Sequence, residues 1–210
     1  MTLAPLMPKV DAILVLGSDG DRLAGKYYGD FLKTADEGHS REETRYNFEK
    51  EIQQKIGGIA ARPDAAEVVS VRGKTVVFCG GSAQGGSGDV RIVHIAPSNE
   101  SELLLAHLCE GMYDALSQLM GGTTERTMVL DNLELVFLLI DEHCDGGIVL
   151  ETDGTKLSSA VLLRDEETQD MGGTSGQPQT PGLPAGVTAG DMTLGQAFRQ
   201  ARDQFLAGGM

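Results

Sequence analysis

Apolar positions along this chain follow two spacings, and the change from one to the other marks its elements. Ala12 to Leu16 is apolar without interruption. A strand covered on one face alternates, so an unbroken run predicts a strand with helices on both sides of its sheet. Leu23 to Phe31 reads as its partner strand. Asp19-Gly20 between them is a hairpin signal, because glycine takes positive φ without strain. Three more β-rich runs follow at Val68 to Val71, Thr75 to Cys79 and Val90 to Ala96. Arg72-Gly73-Lys74 joins the first two tightly, and the glycine-rich stretch Gly80 to Asp89 reaches the third, which predicts a meander of three antiparallel strands.

Helical spacing appears between these runs. Ser40 and Glu43 make a capping-box pattern, Phe48, Ile52 and Ile56 recur four apart, and Gly57-Gly58 supplies a stop. The stripe is narrow, so one side packs and the other is wet. A second helix starts at Asn99 with Glu102. Its stripe is Leu104, Leu108, Met112, Ala115 and Leu119, widened by Leu105 and Leu116, and it ends at Gly121-Gly122. Thr124 to Cys144 is ambiguous, since Glu134 to Asp141 alone could be a buried strand. Its length, polar start and Gly146-Gly147 stop favour one helix buried over most of its circumference, and Asp153 caps a short helix to Leu163.

Past this point the pattern stops. Asp170 to Gly190 has no hydrophobic period and carries prolines at 178, 181 and 184, the composition of a flexible linker. A last amphipathic helix follows, with Leu194, Ala197, Phe198, Ala201 and Phe205 on one face. The predicted organisation is a domain at 1–168, a Gly/Pro linker at 169–190 and a C-terminal amphipathic helix at 191–210.

Charge narrows the function classes. Seventeen basic residues stand against 31 acidic ones, a net charge of −14, which repels phosphate backbones and anionic headgroups and argues against nucleic acid or direct membrane contact. Cys79, Cys109 and Cys144 are odd in number and far apart, so a reducing compartment is expected, with no disulfide framework. No signal-peptide pattern opens the chain, and the longest apolar run, Leu135 to Ile140, is too short to span a bilayer. A soluble cytosolic protein is predicted.

The candidate chemistry gives way to structural readings. Ser18-Asp19-Gly20-Asp21-Arg22 looks like an acidic metal loop, but it has two aspartates where a phosphohexomutase loop has three. A haloacid dehalogenase-type nucleophile would stand where Gly17 and Ser18 do, and the EF-hand glutamate is missing. The segment is read as a turn. His39, His94, His107 and His143 make no ligand motif with each other or with the cysteines; His107 and Cys109 point apart, and a cationic His143 would suit a helix end. Asp141-Glu142 are read as helix-end solvation, Gly80 to Asp89 lacks the Gly-Lys-Ser/Thr of a P-loop, and the PxxP prolines are read as linker. No catalytic, cofactor-binding or metal residue is assigned, no cofactor is implied, and the partner interface is left unassigned.

The stretches "DAILVLGSDGDRLAGKYY", "GKTVVFC", "NESELLLAHLCEGMYDALSQLM" and "LDNLELVFLLIDEHCDGGIVLETD" together resemble the coatomer zeta-chain family, the small chains of the COPI vesicle coat, over about 150 residues. The resemblance implies a mixed α/β (α+β) fold of the longin and adaptor small-chain kind, a five-stranded antiparallel sheet flanked by helices on both faces. It also implies a non-enzymatic role in Golgi-to-ER and intra-Golgi transport. The partner would be the trunk of the coatomer gamma subunit among the other coatomer subunits, with Arf-family GTPase and Golgi membrane reached only through the coat. Against a clathrin-adaptor sigma chain stand the Asp-Gly-Asp-Arg turn and "DGGIVLE"; another longin-domain trafficking protein is the remaining alternative. Sigma chains help form a dileucine pocket where this chain has the polar Thr123 to Thr127, so cargo binding is not carried over.

Overall fold

A computed structural model describes residues 8–32, 40–62, 64–81 and 89–171 of the chain. Five strands form one antiparallel sheet: β1 (Ala12–Gly17), β2 (Arg22–Tyr27), β3 (Glu67–Val71), β4 (Lys74–Gly80) and β5 (Val90–Pro97). Their order is β2-β1-β5-β4-β3, so the hairpin and the meander join where β5 pairs with β1. Helix α1 (Arg41–Ile56) covers one face; α2 (Glu102–Leu119), α3 (Arg126–Asp131), α4 (Leu133–His143) and α5 (Gly154–Met171) form a layer on the other. The expected five-stranded sheet between helices is present.

β1 shows why its sequence does not alternate. Ile13 and Val15 join the core under α2, while Ala12, Leu14 and Leu16 join the core under α1. All six residues of the strand are buried. Either face would lose its floor if this run alternated.

Helix α1 begins as its sequence predicts. Ser40 Oγ accepts from the Glu43 N–H at 3.2 Å, and Glu43 Oε2 accepts from the Ser40 N–H at 2.7 Å, closing the capping box. Phe48, Ile52 and Ile56 are buried, each stabilising the fold by about 1.5–3 kcal/mol of removed apolar surface. Helix α2 ends in a Schellman motif: Gly122 N–H donates to Ser117 O at 2.8 Å and Gly121 N–H to Gln118 O at 3.2 Å. Gly121, just past the cap, has the positive φ (75°) that this ending requires.

Several boundaries differ from the sequence reading. Strand β2 stops at Tyr27, not Phe31, because the chain turns at Gly29 (φ 58°). The N-cap of α2 is Ser101, two residues past Asn99, and Leu104 is half-exposed while Leu105 takes the core position. The predicted single helix from 124 to 144 is two helices, broken at Asn132, and α4 buries only Val136, Leu139, Ile140 and His143. Gly146-Gly147 does more than stop a helix. With φ of 58° and 85° it forms the two-residue turn between short strands β6 (Cys144–Asp145) and β7 (Ile148–Val149).

Asp153 caps α5 as expected, its Oδ1 accepting from the Lys156 N–H at 2.9 Å, but the helix runs on to Met171. The polar sequence past Leu163 carries no apolar period to announce that extension. His39, the glycine-rich connection at 82–88, the linker beyond Met171 and the expected helix at 191–205 lie outside the described residues.

Candidate functional site

The acidic loop is a turn held by an arginine. Gly17 N–H donates to Asp21 O at 2.8 Å and Gly20 N–H to Gly17 O at 2.9 Å, with Gly20 at φ 88°. Asp19 accepts from the Asp21 N–H and pairs with Arg126 Nη1, while Asp21 Oδ2 lies 3.4 Å from Arg126 Nη2. The Arg126 backbone N–H donates to Asp89. One arginine at the start of α3 therefore serves both aspartates, and their oxygens are turned to a cation that the chain itself supplies. Arg22 leaves the loop for α1, where Glu49 accepts from its Nη1 at 2.6 Å and from Tyr27 Oη at 2.7 Å.

The polar segment 123–127 is an internal hub. Thr124 is buried with its hydroxyl 2.5 Å from Tyr113 Oη, its carbonyl accepts from the Asp89 N–H, and Arg126 reaches the hairpin. Sequence reasoning registered only its polarity. The legible signal was an arginine at the first position of a helix, where a positive charge opposes the helix dipole and so wants an acidic partner.

Two pairs distant in sequence meet in the core. His94 on β5 and His143 on α4 stand with Nε2 atoms 3.0 Å apart, both fully buried. Burial holds both imidazoles below the usual histidine range, His143 at about 4 and His94 well below its ordinary value. The expectation of a cationic His143 at a solvated helix end is thus corrected: the residue points inward and is neutral. Cys79 on β4 and Cys109 on α2 bring their sulfurs to 3.3 Å, whereas Cys144 lies apart; all three are buried free thiols. His107 is exposed while Cys109 is buried, so the two point apart as expected.

Other acidic residues are engaged. Asp141 pairs with Lys26 at 2.6 Å and Glu142 with Arg164 at 2.8 Å, so this pair braces α4 against β2 and α5. A surface groove of about 540 Å³ is lined by Asp64, Glu110, Asp114 and Asp153 beside His107. Glu110 accepts from the Ala66 N–H, Asp114 from Gln118 and Asp153 from the Lys156 N–H. Among the described residues, no three His, Cys, Asp or Glu side chains converge on a point a metal could occupy. No described helix is long and apolar enough to cross a membrane.

What the molecule does present is a surface. Of ten large apolar side chains exposed among the described residues, seven stand on α2–α5 and the β6–β7 hairpin, and Leu150 follows that hairpin directly. Leu103 is 81% exposed, Ile148 69%, Leu163 64% and Phe137 47%. The same layer is acidic: residues 102–164 carry eleven Asp and Glu against three Lys and Arg, while α1 carries four of each. Exposed apolar groups within an acidic field are suited to a protein partner, not to a phosphate polymer.

Comparison with known proteins agrees with this surface-bearing scaffold. Residues 9–168 match the family model described as clathrin adaptor complex small chain. The chain is 35% identical over 167 residues to the human coatomer subunit zeta-1, covering 80% of this chain and 84% of that one. It is 33% identical over 198 residues to coatomer subunit zeta-1 of Arabidopsis thaliana, covering 94% of each. With the layered sheet, the hairpin turn and the small-chain match on one molecule, the chain belongs to the clathrin adaptor complex small-chain family, among its coatomer zeta relatives.

Proposed function

We propose that this chain is the zeta-type small subunit of a coatomer coat, paired directly with the trunk of the gamma subunit and acting without catalysis. In this reading it is a peripheral component on the cytosolic face of Golgi membranes, in retrograde and intra-Golgi transport, and it meets an Arf-family GTPase and the membrane only through the assembled coat. The observation that carries the reading is likeness to coatomer zeta chains of an animal and a plant over at least four-fifths of their length. The domain through the end of α5 at Met171 would carry the pairing, consistent with the reach of the family match, with the chain from 172 to 190 as linker and 191–210 as a separate amphipathic helix.

The helix layer is the face best suited to the partner. Its exposed leucines, Phe137 and Ile148 would leave water on docking, and its carboxylates would select a surface with a basic rim. A preformed sheet-and-helix body lowers the ordering cost of a large interface. Co-expression of the full chain with a coatomer gamma trunk, followed by size-exclusion chromatography, tests this. A co-eluting complex of equal amounts is expected. A gamma trunk that elutes alone, or an adaptor large-chain trunk that captures this chain in its place, would overturn it.

A further inference from the structure

We propose that Cys79 and Cys109 form a latent intramolecular disulfide, closed by a peroxide-class oxidant, that staples α2 to strand β4. The inference is independent of the coat reading and rests on how the two thiols are held. Both side chains are fully buried, 30 positions apart in sequence, with sulfurs 3.3 Å apart. Cys79 donates its S–H to the Cys109 carbonyl at 3.3 Å, and Cys109 donates to the Ile92 carbonyl at 3.4 Å. Each thiol also has a backbone oxygen within donor reach, the Val77 carbonyl at 3.8 Å being a second one for Cys109, so neither proton is committed to the space between the sulfurs, which face each other. A disulfide needs a separation of about 2.05 Å, so the sulfurs must close by little more than an ångström.

The chemistry balances with one equivalent of hydrogen peroxide. One sulfur attacks a peroxide oxygen, the O–O bond breaks, and a sulfenic acid and water form. The second sulfur then attacks the sulfenic sulfur, the S–O bond breaks, and the hydroxyl leaves with a proton as a second water. Two thiols are oxidised, the peroxide is reduced, and both thiol protons end in water. An oxidant of water size suits the site, because a bulky disulfide could not enter between α2 and the sheet. Burial holds the Cys109 thiol well above its ordinary range, so the thiolate is scarce and closure follows openings of α2.

Peptide mapping of the full chain is the test. The protein is incubated with hydrogen peroxide until its thiol content is constant, then denatured, alkylated, digested and analysed by mass spectrometry. A bridge between the Cys79 and Cys109 peptides with Cys144 alkylated is expected. Because the bridge closes a 30-position loop, Tm should rise by roughly 5–12 °C and return on reduction. The Cys144→Ala chain should behave identically, and the Cys79→Ala chain should form no internal bridge. Three alkylated thiols after oxidation, a bridge involving Cys144, irreversible sulfinic acid at Cys79 or Cys109, or a lowered Tm would each overturn the proposal.

Discussion

His94 Nε2 lies 3.0 Å from His143 Nε2 in a fully buried contact between β5 and α4. The second ring fixes the proton positions. His143 Nδ1 is 2.8 Å from the Glu151 carbonyl, which only accepts, so Nδ1 carries the hydrogen and Nε2 is bare. His94 therefore donates through Nε2, and its own Nδ1 is a buried nitrogen without a hydrogen-bond partner. Any added proton must enter that dry position or break the pair.

A pH dependence follows, with a definite sign. Burial is the main cause for both rings; His143 adds to it at His94, while Glu151 opposes it at His143 and is outweighed. Each folded-state value is depressed below the unfolded 6.5, so the unfolded chain binds more protons. The stability these neutral rings contribute is complete above about pH 6.5 and is lost as pH falls toward 4. His143 alone accounts for about 3 kcal/mol over that interval. Urea melts at stepped pH should show the decline, and a His94→Leu/His143→Leu chain should show a flatter profile. Parallel profiles would remove the pair as the cause.

Arg126→Ala should cost little. The guanidinium is 35% exposed and its partners 48% and 70%, so solvent screens the interaction. A loss of roughly 0.5–1 kcal/mol, shrinking in high salt, is the expected outcome in denaturant melts. A salt-independent loss of several kcal/mol would mean that the hub at 123–127 had collapsed.

Gly111→Ala should be more damaging, although the site is helical. A Cβ there would lie 2.1 Å from the Thr152 carbonyl oxygen, and the backbone of the β7–α5 connection must then move. A loss of about 1–3 kcal/mol is expected, lowering Tm by roughly 2–12 °C. Alanine favours helices, so an unchanged or higher Tm would show that the connection yields freely.

Phe137→Asp combined with Ile148→Asp separates stability from docking. Ile148 is largely exposed and Phe137 half-exposed, so the Ile148 change should leave stability within about 0.5 kcal/mol and the Phe137 change should cost roughly 1 kcal/mol. Loss of co-elution with a gamma trunk while the chain still melts cooperatively within a few degrees of the parent Tm is the expected result. Retained co-elution would move the interface off the helix layer.

Much of the architecture is legible from local pattern. The unbroken run at 12–16 announced a strand covered on two sides, Ser40 and Glu43 announced a helix start, and glycine pairs announced turns. Boundaries slipped where tertiary contacts set them. Asn132 interrupts a run whose composition is helical throughout, and Gly29 ends a strand whose residues continue to favour β structure.

By itself the sequence determined the five strands of the main sheet, where its first helix starts, how the β1–β2 and β3–β4 hairpins turn and that the sheet lies between helices, because caps, turns and burial periods are written within a few residues of where they act. Only the tertiary structure decided that Arg126 answers Asp19 and Asp21, that His143 meets His94, that Cys79 touches Cys109 and that the exposed apolar groups gather on one layer. Partners separated by 30 to 107 positions leave no local trace. Their meeting depends on the order β2-β1-β5-β4-β3 and on where each helix lies across it.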